Sequence, residues 1–193
     1  HKIYTADYYY VKFFDSDNGV IVCGYAKSND TNESSRIYST SNGGESWDIV
    51  GSGPATNIIK GVVYVSSDVG FFCYDYVEGM DSNLYKTDDG GKTFAKVMLE
   101  EQELDSSAAN PQGQETETKT DSGKNGADSS EQLRWGDVYK EALTPVVDST
   151  GIITIYLTQG KNAVYNDGKT AAKYQSSDKG STWKYIGQVE IKD

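Results

Sequence analysis

One short pattern occurs three times in this chain and constrains its fold more than any other feature. The pattern reads Tyr, any residue, Ser or Thr, any residue, Asp or Asn, any residue, Gly, any residue, Ser or Thr, and then an aromatic residue. Its copies start at Tyr38, Tyr85 and Tyr174. Such internal repetition indicates a repeat architecture, in which each repeat is one supersecondary unit.

The residue types in the pattern are those that a tight hairpin turn requires. Asp or Asn can accept hydrogen bonds from nearby backbone N–H groups, and Gly can adopt the positive φ of such a turn. The hydroxyls satisfy further turn groups, and the aromatic ring folds back as an apolar plug. We therefore predict a structural role for the repeated residues. They are Thr40, Asn42, Gly44 and Trp47; Thr87, Asp89, Gly91 and Phe94; and Ser176, Asp178, Gly180 and Trp183.

A strand–turn–strand pattern precedes each hairpin, at 11–22, 62–73 and 146–155. Each unit therefore contains four strands, and four-stranded units repeated about every 40–50 residues are typical of β-propeller blades. We predict an all-β fold, in which a single domain over 1–193 contains three four-stranded antiparallel blades and forms a partial or half propeller. The predicted blades span about 8–50, 58–97 and 143–187.

The interval between the second and third hairpins is long because of an insertion at about 100–132. The insertion is rich in Ser, Thr, Glu, Asp, Gln and Gly, lacks aromatic residues, and has Leu104 as its only large apolar side chain. Such a segment cannot bury enough apolar surface to offset the entropy of ordering it. We predict that it is disordered and dispensable, and that 134–143 forms a short strand or a helical turn.

The three hairpins resemble Asp boxes, also called BNR repeats. Residues 176–183 match the consensus Ser-x-Asp-x-Gly-x-Thr-Trp fully, and 87–94 differ by Thr for Ser and Phe for Trp. Residues 40–47 differ most, with Asn for Asp and Ser for Thr. The resemblance implies a β-propeller of the sialidase-like and sortilin-like superfamily, whose members differ in function. In this family the box is structural and usually lies on the face opposite the ligand site.

The blade geometry predicts which loops form the ligand face. In a blade with strands A to D, the A–B and C–D turns share one face, and the B–C and D–A loops share the other. The boxes are C–D turns. The predicted ligand face carries the B–C loops at 27–36, 75–83 and 159–170, the D–A loop at 51–57, and the insertion. The candidate ligand residues are Arg36, Tyr76, Trp135 and Tyr165. The aromatic rings could stack on a sugar or anchor a protein, and burial against neighbouring loops is the alternative.

Several kinds of catalytic site are excluded by composition. The resemblance implies that a sialidase grips its substrate carboxylate with three arginines, but the chain contains only Arg36 and Arg134. It therefore cannot form a complete sialidase site, and we assign no catalytic residue. Other glycosidases need only two suitably spaced carboxylates, so the many acidic residues leave that possibility open. The only histidine, His1, is terminal, which excludes histidine-based catalysis and metal sites.

One acidic loop contains the hard oxygen ligands that calcium prefers. These residues are Asp75, Glu78, Asp81 and Asn83. Their spacing does not match a known calcium loop, so we predict a solvated acidic loop, with no metal and no cofactor.

The composition also bears on partners and compartment. The chain has 18 basic and 29 acidic residues and a formal net charge of -11, so its surface repels phosphate backbones and nucleic acid is not a predicted partner. No apolar run approaches the roughly 20 residues that span a bilayer. Cys23 and Cys73 lie in strand-like apolar runs and are predicted to be buried, with a disulfide between them left open.

These features lead to two hypotheses about function. The first is a non-catalytic bacterial extracytoplasmic module that binds a protein or glycan through its B–C and D–A loop face. The alternative is part of a sialidase-like or other glycoside hydrolase whose catalytic residues lie outside this chain. Because the sequence starts at His1 rather than Met, we expect an extracellular or cell-surface protein whose signal or anchor was trimmed. Three open blades would expose two apolar faces, so we expect a homodimer or a place in a larger propeller.

Overall fold

The computed structural model describes residues 6–25, 35–104, 134–160 and 165–191. Sheet one comprises β1 (Tyr8–Phe13), β2 (Gly19–Gly24), β3 (Ser35–Thr40) and β4 (Asp48–Ser52). Sheet two comprises β5 (Ile59–Tyr64), β6 (Gly70–Tyr74), β7 (Leu84–Thr87) and β8 (Ala95–Lys96). Sheet three comprises β9 (Glu141–Ala142), β10 (Val146–Val147), β11 (Ile153–Thr158), β12 (Thr170–Ser176) and β13 (Lys184–Glu190). A one-turn helix, α1 (Trp135–Val138), precedes sheet three, and a 3-10 helix spans Tyr165–Gly168.

The predicted all-β class is confirmed, and the described residues form three antiparallel sheets. Each sheet is a meander, because its strands are neighbours in chain order. Burial along the strands shows how the sheets stack. Strand β1 alternates between half-buried and exposed residues, whereas all five residues of β6 are buried, since sheet two is covered on both faces. The described residues do not close into a ring of sheets.

The first strand of sheet three is interrupted, and it starts before the strand–turn–strand pattern predicted at 146–155. From Ala142 to Val146 this strand advances four residues, while β11 advances three, so one extra residue forms a bulge. The interruption falls at Pro145, which has no N–H to give to the ladder. The Leu143 N–H still donates to the Tyr156 carbonyl at 2.9 Å. The strand therefore begins at Glu141, just after the one-turn helix α1.

Two apolar layers hold the three sheets together. The layer between sheets one and two contains Val20, Val22, Ile37, Ile59, Val62, Tyr64, Phe72 and Tyr74. The layer between sheets two and three contains Val69, Phe71, Cys73, Leu84, Val97, Ala142, Ile153 and Ile155. The neighbours Phe71 and Phe72 belong to different layers, because successive side chains of a strand point to opposite faces.

Side chains of β1 form hydrogen bonds with backbone N–H and C=O groups at the edge of β5. The Tyr8 and Tyr10 hydroxyls accept hydrogen bonds from the N–H groups of Val62 and Tyr64, at 3.0 and 3.1 Å. The Lys12 ammonium donates to the Tyr64 carbonyl at 2.6 Å. Burial raises the pKa of both Tyr8 and Tyr10, so the two hydroxyls stay protonated. Sheets one and two are thus joined by polar contacts as well as by their apolar layer.

A buried amide joins sheets two and three in the same way. Asn83 donates from Nδ2 to the Ala142 carbonyl at 2.9 Å, and its Oδ1 accepts from the Ala142 N–H at 2.8 Å. The Cys73 thiol donates to the same carbonyl at 3.2 Å, and burial raises the pKa of that thiol to about 11. Cys73 is buried as predicted, whereas Cys23 is only half-buried, and both are free thiols.

The start of the predicted insertion packs against the fold. The Tyr174 hydroxyl donates to the Glu100 carbonyl at 2.7 Å, and Leu104 packs against a cluster that includes Trp135 and Tyr165. The rest of the insertion, from residue 105 onward, lies outside the described residues. Among the described helices, none is long and apolar enough to cross a membrane.

Candidate functional site

The third hairpin shows how the repeated residues form their turn. The Asp178 Oδ1 atom accepts from the N–H groups of Ser181 and Thr182, at 3.0 and 2.9 Å, and Oδ2 accepts from the Thr182 hydroxyl at 2.6 Å. The Ser176 hydroxyl donates to Asp178 at 2.7 Å and accepts from the Gly180 N–H at 2.8 Å. These hydrogen bonds, led by those from Thr182, hold the pKa of Asp178 well below its usual range.

The other two hairpins repeat this network with one change. Asp89 accepts from the N–H and hydroxyl of Thr93, at 2.8 and 2.6 Å, and the pKa of Asp89 is likewise strongly lowered. In the first hairpin Asn42 still accepts from the Ser46 N–H at 3.0 Å, but its amide donates to the Ser46 hydroxyl at 2.9 Å. An amide therefore fits the turn in place of a carboxylate, with one hydrogen bond reversed.

The aromatic residue that ends each pattern packs edge-on against a ring in a sheet. Trp47 packs on Phe13, with ring centroids 5.9 Å apart, and Trp183 packs on Phe71 at 6.0 Å. Phe94 packs on Phe72 at 4.9 Å. The side chains of the three patterns are thus engaged in turn hydrogen bonds and in packing within and between sheets.

The lowered carboxylate pKa values predict a dependence of stability on acidity. Because the folded pKa of Asp89 and Asp178 lies below the unfolded value, these groups contribute stability above about pH 5, and the contribution is lost as the pH falls toward about 2. We expect the double variant D89N/D178N to show a smaller fall in Tm than the wild type over this range. The reverse change, N42D, supplies a third carboxylate and should steepen the fall. Unchanged slopes in thermal scans of both variants would contradict the prediction.

Sheets two and three diverge on the predicted ligand face and leave a cleft of about 480 Å³. Its walls come from the β6–β7 loop, from the segment that follows β8, and from α1 with the residues around it. The first is a predicted B–C loop, and the others form the D–A connection. Its lining includes Tyr76, Glu78, Asp81, Glu101, Arg134 and Asp137. We call this space the loop-face cleft.

The candidate residues do not all meet at the loop-face cleft. Tyr76 lines it and is half-buried, and burial raises the pKa of its hydroxyl. Trp135 lines it as well but is only 3% exposed, packed between Tyr139 and Tyr185 at 4.7 and 5.3 Å. Tyr165 is 1% exposed and lies in the core. Trp135 and Tyr165 are therefore buried, which was the alternative to an exposed ligand-binding ring, because α1 and the 3-10 helix turn both rings inward.

Arg36 lies away from the cleft and not in the B–C loop to which it was assigned. Strand β3 begins at Ser35, so Arg36 is a strand residue, opposite Cys23 in β2 and Ser52 in β4. The predicted B–C loop, 27–36, extends two residues too far into the strand, because Ser-Arg has no apolar signal of its own. The loop residues 26–34 lie outside the described part of the chain.

The acidic residues of the loop that was considered for calcium form ion pairs with three lysines. Lys60 pairs with Asp75 at 2.7 Å, Lys140 with Glu78 at 2.9 Å, and Lys96 with Asp81 at 2.7 Å. Lys96 also lowers the pKa of Asp81. The fourth residue of the set, Asn83, is the buried link between sheets two and three. Within the described residues, no group of three or more potential metal ligands comes together.

No family model matches the chain, and no curated protein matches it. Among solved structures, the chain is similar to a GH74 enzyme of Niastella koreensis, with 15% sequence identity and a TM-score of 0.40. The matched region covers 86% of this chain and 19% of that enzyme's chain, so this chain spans about a fifth of its length.

Proposed function

We propose that the chain comprises three consecutive Asp-box blades of a β-propeller and that it is a non-catalytic binding module of a bacterial extracytoplasmic or cell-surface protein. The support for the blades is the pairing of each four-stranded meander with a hairpin between its third and fourth strands. In each hairpin an Asp or Asn side chain accepts the turn N–H groups, as an Asp box requires.

The proposal that the chain binds a ligand is based on the loop-face cleft. Its volume of about 480 Å³ lies within the roughly 300–1,000 Å³ of ordinary ligand sites. The lining combines apolar side chains such as Leu84 and Leu157 with carboxylates and the Arg134 guanidinium. Such a mixture suits a protein segment or a glycan, each of which presents both apolar and hydrogen-bonding groups.

A binding role fits the chemistry of the cleft better than hydrolysis does. A glycosidase acid needs a raised pKa, whereas the pKa of Asp81 is lowered by its ion pair with Lys96. One observation supports the alternative, in which the chain is part of a sialidase-like or other glycoside hydrolase whose catalytic residues lie outside this chain. Besides the ion-paired Glu78 and Asp81, two further carboxylates, those of Glu101 and Asp137, line the same cleft.

The test combines a glycan array with a pull-down from the native cell surface, followed by affinity measurements on variants. We expect Tyr76→Ala and Arg134→Ala each to weaken binding about 10-fold or more, as truncation of a central contact does. Lys92→Ala, an exposed change on the opposite hairpin face, should leave affinity unchanged. A ligand that binds all three variants equally would place the site elsewhere. Hydrolysis of a bound glycan that stops in E101Q or D137N would favour the enzyme alternative.

A further inference from the structure

The ion pairs around the loop-face cleft leave part of its negative charge uncompensated. The carboxylates of Glu78 and Asp81 are each matched by a lysine ammonium, at 2.9 and 2.7 Å. Glu101 and Asp137 line the same cleft and are exposed. Within the described part of the chain, neither of these two side chains forms an ion pair. The cleft therefore has two carboxylates whose charge no neighbouring cation of the described chain neutralises.

The segment that follows β8 adds negative charge to one wall of the cleft. Glu100, Glu101 and Glu103 are all exposed. The Tyr174 hydroxyl donates to the Glu100 carbonyl at 2.7 Å, which fixes the backbone of this segment against sheet three. The field of these glutamates adds to that of a chain with a net charge of -11. A cationic group is therefore attracted to this wall, and an anionic group is repelled.

The carboxylate of Glu101 lies directly against α1, on the opposite wall. A Cβ placed at Gly136 would lie only 2.6 Å from Glu101 Oε1. Because glycine has no side chain, the carboxylate can approach the backbone of α1 at this residue, next to Asp137 in the sequence. The two unpaired carboxylates thus belong to walls that touch at Gly136, at one end of a common space.

The apolar part of the lining is aliphatic rather than an exposed aromatic platform. Met98 is 64% exposed and Leu99 is half-buried. The rings of Trp135 and Tyr139 are each 3% exposed, and Tyr76 is half-buried. A sugar ring that needs an open aromatic face is thus poorly served. A lysine side chain suits such a lining, because its aliphatic stem lies along apolar surface while its ammonium stays in water.

We propose that the loop-face cleft binds a lysine-rich segment of a partner protein. The lysine stems lie on the aliphatic wall, and their ammonium groups lie beside Glu101 and Asp137. Arg134 is exposed in the same lining and, among the described residues, forms no ion pair, so it can donate to a backbone carbonyl of the segment. The inference rests on the proposed function, because it names the class of ligand for the same cleft.

The probe is a hexapeptide of alternating lysine and leucine with blocked ends, titrated into the full chain by calorimetry. We expect acetylation of its lysines to weaken binding about 10-fold or more, because acetylation removes the charge and keeps the aliphatic stem. Raising the salt concentration from about 50 to about 500 mM should weaken binding of the unmodified peptide by a similar factor. The same change should have little effect on the acetylated peptide.

Variants of the chain then locate the charge that the peptide senses. E101Q and D137N should each weaken binding about 5-fold, because each removes one carboxylate charge and keeps the side-chain shape. Gly136→Ala keeps every charge but displaces the Glu101 carboxylate, so binding should weaken in the same direction. The control is E45Q, which removes one exposed charge from the hairpin of sheet one, on the opposite face. Equal losses in E45Q, E101Q and D137N would show that the peptide senses only the net charge, and would overturn the inference.

Other outcomes separate this inference from the proposed function. If neutral oligomers of N-acetylglucosamine bind and the unmodified peptide does not, the ligand class is wrong, while the binding module stands. If Tyr76→Ala weakens peptide binding and the two carboxylate variants do not, the cleft is the site but the lysine ammonium groups are not what it recognises. Peptide binding that is unchanged in Tyr76→Ala, E101Q and D137N would place the peptide elsewhere on the chain and also overturn the inference.

Discussion

Replacing Asn83 with leucine is expected to lower the free energy of unfolding by about 2–4 kcal/mol. The Asn83 amide satisfies both backbone groups of Ala142, and its Nδ2 atom also donates to the Tyr74 carbonyl at 2.8 Å. Leucine has a similar volume but no polar atoms. The Ala142 N–H would therefore lose its partner inside the layer between sheets two and three, where water cannot replace it.

A matched control for this change is Asn57→Leu. Asn57 also donates to a backbone carbonyl, that of Asp75 at 3.1 Å, but it lies at a half-exposed loop where water can take its place. We expect a cost below about 1 kcal/mol there. Urea denaturation of both variants makes the comparison, with equal m-values required. If the two costs are equal, Asn83 does not hold sheets two and three together.

Asn83 also illustrates where prediction from sequence stops. The hairpins could be predicted because an Asp or Asn, a hydroxyl and a Gly within a few residues form a complete local network, as in Asp178 and its neighbours. The partner of Asn83 is Ala142, which is 59 residues away and has no side-chain signal for a hydrogen bond. In the sequence Asn83 therefore looked like one more polar residue of an acidic loop.

The same limit explains the outcome for the candidate ligand residues. Position in a loop predicted Tyr76 on the loop face, since loop order along a meander fixes the face on which a loop lies, and in the structure Tyr76 lines the cleft there. It could not predict that Trp135 and Tyr165 point inward, because an aromatic residue in a loop can form either a surface platform or a local core. For Trp135 the choice depends on packing against Tyr139 and against Tyr185, which lies in β13, far from Trp135 in the sequence.

The glycine in the third hairpin gives the second large prediction. Gly180 has a φ of +77°, where an L-residue is strained, and a Cβ placed there would lie 2.5 Å from the Phe71 ring. Gly151 has a similar φ of +85°, but a Cβ there would meet nothing within 4 Å. The two positions therefore share the backbone strain and differ in the steric clash alone.

We expect Gly151→Ala to cost about 1 kcal/mol of unfolding free energy, from backbone strain, and Gly180→Ala about 3 kcal/mol, because Phe71 must move within the layer between sheets two and three. Urea denaturation of both variants measures the difference. A double-mutant cycle with Phe71→Leu then isolates the clash, since leucine lacks the ring atoms that the new methyl group would meet. The combined loss in F71L/G180A should be smaller than the sum of the single losses by about 1 kcal/mol or more. Additive losses would show that the Gly180→Ala cost comes from the backbone and not from contact between the hairpin and sheet two.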